Sequence, residues 1–191
     1  HLLADRAALQ AADPGGLEPI GSTVDAFAER LKRENHTLKR ALTMPQLFAG
    51  IGNAYSDEIL HAARMSPVRL TGSMDDEARG RLLEAARGTL QRWTDELRRE
   101  FGLVEGGEGR FPRPGEITAF RPGFAVHGRF AKPCPVCGDP VQRIVHAENE
   151  VNYCATCQTG GKVLADRSLS RLLKDDWPRT IEDWEQTFGP S

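Results

Sequence analysis

The chain has no long apolar run. Nothing in it approaches the ~18 consecutive apolar residues that a membrane-crossing helix requires, and 39% hydrophobic against 27% charged residues is an ordinary globular balance. A secretory leader is also missing, because His1-Leu2-Leu3-Ala4-Asp5-Arg6 has no basic segment running into an apolar core; a cytoplasmic location is expected. Aromatic residues are sparse at 7%, and the net charge is only −2, so no overall basic surplus announces a nucleic-acid partner. There is no internal repeat. The chain opens on His rather than Met, which suggests a processed, truncated or excised piece. Cysteine is scarce as well, with four in 191 residues, and that scarcity is informative because of where the four lie.

The charge that is present is segregated. Residues 28–40 carry five Lys/Arg against two Glu, residues 127–174 seven against four acids, and Asp175–Ser191 five acids against Arg179 alone. Phosphate binding needs a local basic face and not a basic total, although scattered solvated charge gives the same counts. The hydrophobic pattern is helical over the first hundred residues. Ser22, with Asp25 three residues on, reads as the cap of a helix over 23–34 carrying Val24, Phe27, Ala28 and Leu31 on one stripe. Thr37 caps a short helix with Leu38 and Leu42. A further helix carries Tyr55, Ile59, Leu60 and Ala63 and ends by Pro67. Ser73 caps a long one in which Ala78, Leu82, Ala86, Leu90, Trp93, Leu97 and Phe101 step by three and four. Gly102–Gly115 is rich in glycine and proline, a linker or loop. Beyond it the pattern predicts short strands at Val141–Val145 and Val151–Tyr153, then a helix over Leu164–Leu173, with Trp177 and Trp184 pinning the acidic tail. The expected architecture is a mainly α-helical bundle followed by a small β-hairpin finger that carries all four cysteines. Its divisions are a linker at 1–21, a helical unit at 22–115, the finger at 116–160 and an extension at 161–191.

The four cysteines form two Cys-x2-Cys pairs, Cys134/Cys137 and Cys154/Cys157, with sixteen residues between the pairs. Two intervening residues let one turn present both sulfurs to a single ion, and zinc takes four such ligands in a tetrahedron. Two disulfides are the alternative. A chain of this size with no export signal and ample Leu, Ile, Val and Phe needs no such staples, so one structural Zn2+ is the expected cofactor. Four thiolates leave no open coordination position, so the metal folds the domain and does not catalyse. His127 and His146 are close in sequence but are not needed as ligands.

Gly50-Ile51-Gly52-Asn53 lies between two helices and starts the second. Backbone amides without side chains, at a helix N-terminus, make an anion site, and Asn53 can cap the helix while offering its amide to a phosphate oxygen. A plain tight turn uses the same residues. Lys39 and Arg40 add positive charge one short helix earlier.

Two segments together resemble a known family. Leu47-Phe48-Ala49-Gly50-Ile51-Gly52-Asn53-Ala54-Tyr55-Ser56-Asp57-Glu58-Ile59-Leu60 resembles the helix–two-turn–helix signature of bacterial formamidopyrimidine-DNA glycosylase and endonuclease VIII. Val126-His127-Gly128-Arg129, Pro133-Cys134-Pro135-Val136-Cys137-Gly138 and Tyr153-Cys154-Ala155-Thr156-Cys157-Gln158 resemble the zinc finger that closes those enzymes. The order and separation also agree, over roughly residues 23–158. The resemblance implies a base-excision-repair glycosylase and AP lyase acting on oxidatively damaged bases. Double-stranded damaged DNA is then the partner, held by a monomer. DNA contacts are expected from Asn53, Gly50, Gly52, Lys39 and Arg129, with the hairpin tip at Asn149 and the loop ending near Phe120 close to the lesion.

The departures matter equally. The family's catalytic proline and glutamate are not found here, so the resemblance implies no catalytic residue in this chain and an inactive chain on its own. At the hairpin tip the family arginine is replaced by Asn149 between Glu148 and Glu150, and two carboxylates there repel phosphate. Two alternatives to a glycosylase's DNA-clamping portion therefore stand: a free-standing zinc-dependent nucleic-acid-binding module, and a protein-interaction zinc ribbon.

Overall fold

The computed structural model describes residues 11–113, 115–116, 121–146, 149–165 and 177–188, with His146, Asn149 and Phe188 as backbone only. Among these residues lie six α-helices and one antiparallel hairpin. The helices are α1 (Val24–Lys32), α2 (Leu38–Thr43), α3 (Asn53–Ala62), α4 (Asp76–Glu100), α5 (Ala155–Thr159) and α6 (Ile181–Phe188), with a 3-10 turn at Thr71–Ser73. The strands are β1 (Gln142–His146) and β2 (Asn149–Tyr153), in register from Gln142 opposite Tyr153 to His146 opposite Asn149. No helix among the described residues is long and apolar enough to cross a membrane.

The helical stripes converge on one core. Phe27 and Leu31 of α1, Leu38 and Leu42 of α2, Ile59 and Leu60 of α3, and Ala78, Leu82 and Leu83 of α4 are each almost wholly buried. Two of the expected caps are displaced. The α1 cap is Thr23, whose hydroxyl accepts from the Ala26 amide; the Ser22 hydroxyl instead donates to the Pro19 carbonyl. The α4 cap is Asp75, accepting from the Ala78 amide at 2.7 Å, while Ser73 donates to Leu70. In both places a neighbouring carbonyl already holds the serine hydroxyl, and the next acceptor along takes the helix amide. Thr37 caps α2 as expected. Helix α3 stops before Pro67, because Arg64 turns left-handed at φ 54° and the Met65 amide bonds back to Leu60.

A second, smaller core sits behind the hairpin. Tyr153, Ala155, Val163, Ile181 and Trp184 are buried there, with Phe130, Ile144, Leu164 and Trp177 against them. Trp184 meets Phe130 edge to face at 6.0 Å, and the Leu164 amide donates to the Tyr153 hydroxyl at 2.7 Å. The two tryptophans therefore do hold the acidic tail to the finger. The expected helix at Leu164–Leu173 falls outside the described residues from position 166 onward, and Phe120, the expected end of the lesion-side loop, lies outside them too.

Candidate nucleic-acid interface and zinc centre

The glycine turn is built from α2 outward. Phe48 is buried beside Phe27 with ring centres 4.6 Å apart, and Leu17 bonds to both Leu47 and Ala49 through the backbone, so the chain entering the turn is fixed. Gly50 then takes φ +76°, a left-handed conformation that glycine adopts without a Cβ clash. Gly52 differs. Its φ is −98°, which any residue tolerates, and a Cβ added there would meet nothing within 4 Å. The fold does not need glycine at this position; a bare backbone leaves the amides open to close approach from outside. Gly50, Gly52 and Asn53 are all exposed. Among the described residues none accepts from the amides of Gly52, Asn53, Ala54 or Tyr55, so the N-terminus of the ten-residue α3 presents unpaired donors.

Asn53 is not the cap that the sequence suggests. Gly52 occupies that position with no side-chain cap, and the Asn53 Nδ2 donates to the Glu150 carbonyl on β2 at 3.1 Å. The carboxamide bridges the turn and the hairpin, and one donor and its acceptor oxygen remain for an outside group. Lys39 is also displaced from its expected role. It is 8% exposed, and its Nζ donates to the Asn53 carbonyl at 2.7 Å, the Ser56 hydroxyl at 2.7 Å and Asp57 Oδ1 at 2.5 Å. Burial pulls its pKa below the ordinary lysine value, and Asp57 opposes that fall. Its three donors are already taken, so it shapes the turn from beneath and does not project to a phosphate. Arg129 is half-buried and donates to the Pro133 carbonyl at 2.9 Å, beside the first cysteine knuckle. Asn149 is placed at the hairpin tip through its backbone; its side chain is outside the description.

Sequence reasoning passed over the seam between the helices and the finger. Asp57 and Glu58 are consecutive acids, and both are buried. The Asp57 carboxylate takes Lys39 on one oxygen and, on the other, His127 Nδ1 at 2.8 Å and the Asn152 amide at 3.2 Å. Glu58 accepts from three successive amides, Ala125, Val126 and His127, at 2.7, 2.9 and 2.9 Å. The pair fastens α3 to the loop before the finger and to β2. A faint signal exists: two consecutive acids run straight into Ile59-Leu60 on the apolar stripe, with no lysine one turn on to pair with them.

The four cysteine sulfurs lie within 4.8 Å of one another, with Cys134–Cys157 at 3.9 Å and Cys137–Cys154 at 3.4 Å. All four are free, so the disulfide alternative is excluded. Four sulfurs each about 2.3 Å from one zinc stand roughly 3.8 Å apart, so the cluster already has the size of a zinc tetrahedron. Amides of Val136 and Cys157 point at the sulfurs of Cys134 and Cys154, both at 3.5 Å. Burial pushes the Cys154 thiol well up and the Cys157 thiol up to about 11; a divalent cation reverses that by stabilising thiolate. His61 Nε2 lies 3.3 Å from Cys134 Sγ, and burial lowers its pKa below the usual imidazole value.

Fold and site together define a helix–two-turn–helix protein with a structural zinc finger packed against it. Residues 16–96 match the formamidopyrimidine-DNA glycosylase H2TH domain, and residues 131–160 match the zinc finger found in FPG and IleRS. A Mycobacterium tuberculosis protein described as an uncharacterized formamidopyrimidine-DNA glycosylase-like protein is 42% identical over 159 residues, which is 83% of this chain and 94% of that protein. The formamidopyrimidine-DNA glycosylase of Thermus thermophilus is 36% identical over 149 residues, 76% of this chain and 54% of the enzyme. The crystal structure of MutM (Fpg) from that organism matches with a TM-score of 0.61 at 36% identity, over 75% of this chain and 53% of that one. The Lactococcus lactis Fpg mutant G226P, solved with Fapy-dG-containing DNA, shares the fold at a TM-score of 0.62 and 24% identity, over 79% of this chain and 54% of that one.

The chain belongs to the formamidopyrimidine-DNA glycosylase and endonuclease VIII family and corresponds to its C-terminal portion. It spans about half the length of the curated glycosylases it matches. The centre formed by Cys134, Cys137, Cys154 and Cys157 holds one structural zinc.

Proposed function

We propose that the chain grips the sugar–phosphate backbone of damaged double-stranded DNA. The open amides of Gly52 to Tyr55 and the free part of the Asn53 carboxamide would hold one phosphate, and the zinc hairpin would lie alongside. The observation that carries this is Gly52, a glycine that the fold does not require, at the exposed start of a helix whose first amides have no partner among the described residues. Gly50 gives the turn its shape and Lys39 braces it. Arg129 and Asn149 border the contact from the finger side. In the wider protein this would be the DNA-binding portion of a glycosylase and AP lyase acting on oxidatively damaged bases. These residues alone would bind without excising. In the T. thermophilus glycosylase they match 54% of the enzyme, through helix–two-turn–helix and finger.

The test is fluorescence anisotropy with a duplex containing an abasic-site analogue. Affinity should fall steeply with added salt, as counterion release demands, and Asn53→Ala should weaken it with the fold intact. Salt-independent binding, or none at low salt, removes DNA as the partner. Borohydride should trap no covalent adduct with abasic DNA; a trapped adduct overturns the binding-only role. A second reading, a free-standing non-catalytic module, is favoured by the M. tuberculosis relative, 94% of whose length is matched. Reading the coding frame upstream of His1 separates the two.

A further inference from the structure

Helix α3 begins at the glycine turn and ends at the zinc centre. His61, in its last turn, is 7% exposed, and the sulfur facing it belongs to Cys134, itself 2% exposed. The Nε2–Sγ separation of 3.3 Å is a hydrogen-bond distance for sulfur. A zinc-bound thiolate carries no proton and offers only lone pairs, so this contact is attractive only with hydrogen on Nε2, the ring donating and the sulfur accepting. The second knuckle is tied to the same helix end. Gln158 accepts from the Cys154 amide at 2.8 Å and donates to the Met65 carbonyl at 2.9 Å. One end of α3 is thus clamped to both cysteine pairs, through a sulfur on one side and a backbone on the other.

We propose that His61 is an outer-sphere residue of the zinc centre. It donates to the Cys134 thiolate, orients that ligand, slows zinc loss, and ties metal occupancy to the helix that carries the glycine turn. The inference rests on the zinc site and not on the DNA-binding reading. Outer-sphere partners of this kind typically change metal affinity by about 10- to 100-fold when removed.

The experiment uses the full zinc-loaded chain and two substitutions, His61→Phe, which keeps a ring of similar size without an N–H, and His61→Gln, which restores a donor. Zinc transfer to a colorimetric chelator is timed, and the sulfur-to-metal charge-transfer band is recorded after cobalt(II) substitution. His61→Phe should release zinc about 10-fold faster or more and shift the band, and His61→Gln should return both toward the parent. His61→Ala makes the same comparison if the phenylalanine does not fit. Donor-less variants with the parent's release rate and band overturn the proposal, even if they melt earlier, because a packing role moves stability and leaves the sulfur's spectrum alone.

Discussion

The helical unit and the finger are stabilised in different ways. Among the described residues the first has sixteen buried apolar residues in one continuous cluster, contributed by four helices and the segments between them. The second has five in its hairpin core and four around the cysteines, two of which are cysteines themselves. On that balance the first unit is expected to stand on burial alone and the second to need its ion. The two buried carboxylates of α3 join them, together with the Asn53, His61 and Gln158 contacts and a small apolar cluster of Ala54, Trp93 and Phe124. The glycine turn therefore sits on the unit with the larger apolar core, and the hairpin it touches through Asn53 belongs to the unit built around the zinc ligands.

Removing the metal is the strongest way to break that contrast. With an apparent contribution of about 10–16 kcal/mol for structural zinc in finger peptides, a chelator should unfold residues 131–160 and leave α1, α2 and α4 protected in amide hydrogen exchange. Concerted loss of the helices would show that the two units do not stand apart. The raised Cys154 and Cys157 thiols set the direction of the pH effect. Zinc must displace thiol protons, which Cys154 and Cys157 hold more tightly than a free thiol does, so affinity should weaken as pH falls from about 7.5 to about 6. Competition titrations at the two values check this.

The next effect down is at the seam. Glu58→Ala removes the carboxylate that accepts from three successive amides, and leaving a buried donor unsatisfied costs about 1–3 kcal/mol each. Urea unfolding followed by far-UV circular dichroism should show it. The finger should also detach, with faster exchange at residues 125–127. A small loss, within the range of surface substitutions, would mean that water replaces the carboxylate and that the seam is looser than these distances imply.

The two units also differ in how far they could be read from sequence. The zinc ligands and the hairpin were legible because their information is local: two residues within each pair and a turn between strands. Helix existence was legible from the apolar steps, but the caps slipped by one or two positions, since Ser22 and Thr23, or Ser73 and Asp75, are equally plausible acceptors until Pro19 and Leu70 are seen to hold the serines. The seam was not legible. Asp57 meets a histidine 70 positions away and Asn53 meets a carbonyl 97 positions away, and no periodicity encodes such pairs. Lys39 is a shorter-range case: its charge looked available until the fold supplied Asp57, 18 positions on.

Within the turn, Gly50 and Gly52 differ in what the backbone requires of them, and the pair offers a finer contrast. Gly50→Ala places a Cβ on a residue at φ +76°, which costs about 1–2 kcal/mol for an L-residue in the left-handed region. A drop in the melting temperature is the expected result, and DNA affinity falls with the fraction folded.

Gly52→Ala should do the opposite. Its backbone is already extended and the added methyl meets nothing within 4 Å, so stability should stay within about 0.5 kcal/mol of the parent. A fully folded protein with weakened DNA binding would then isolate the steric requirement of the bound phosphate, because the added methyl touches nothing in the protein itself. Equal affinity for parent and variant would place the phosphate elsewhere, and the exposed amides would be no more than the ordinary fraying end of a helix. A loss of stability would say instead that Gly52 answers to the fold after all, and the distinction between the two glycines would vanish.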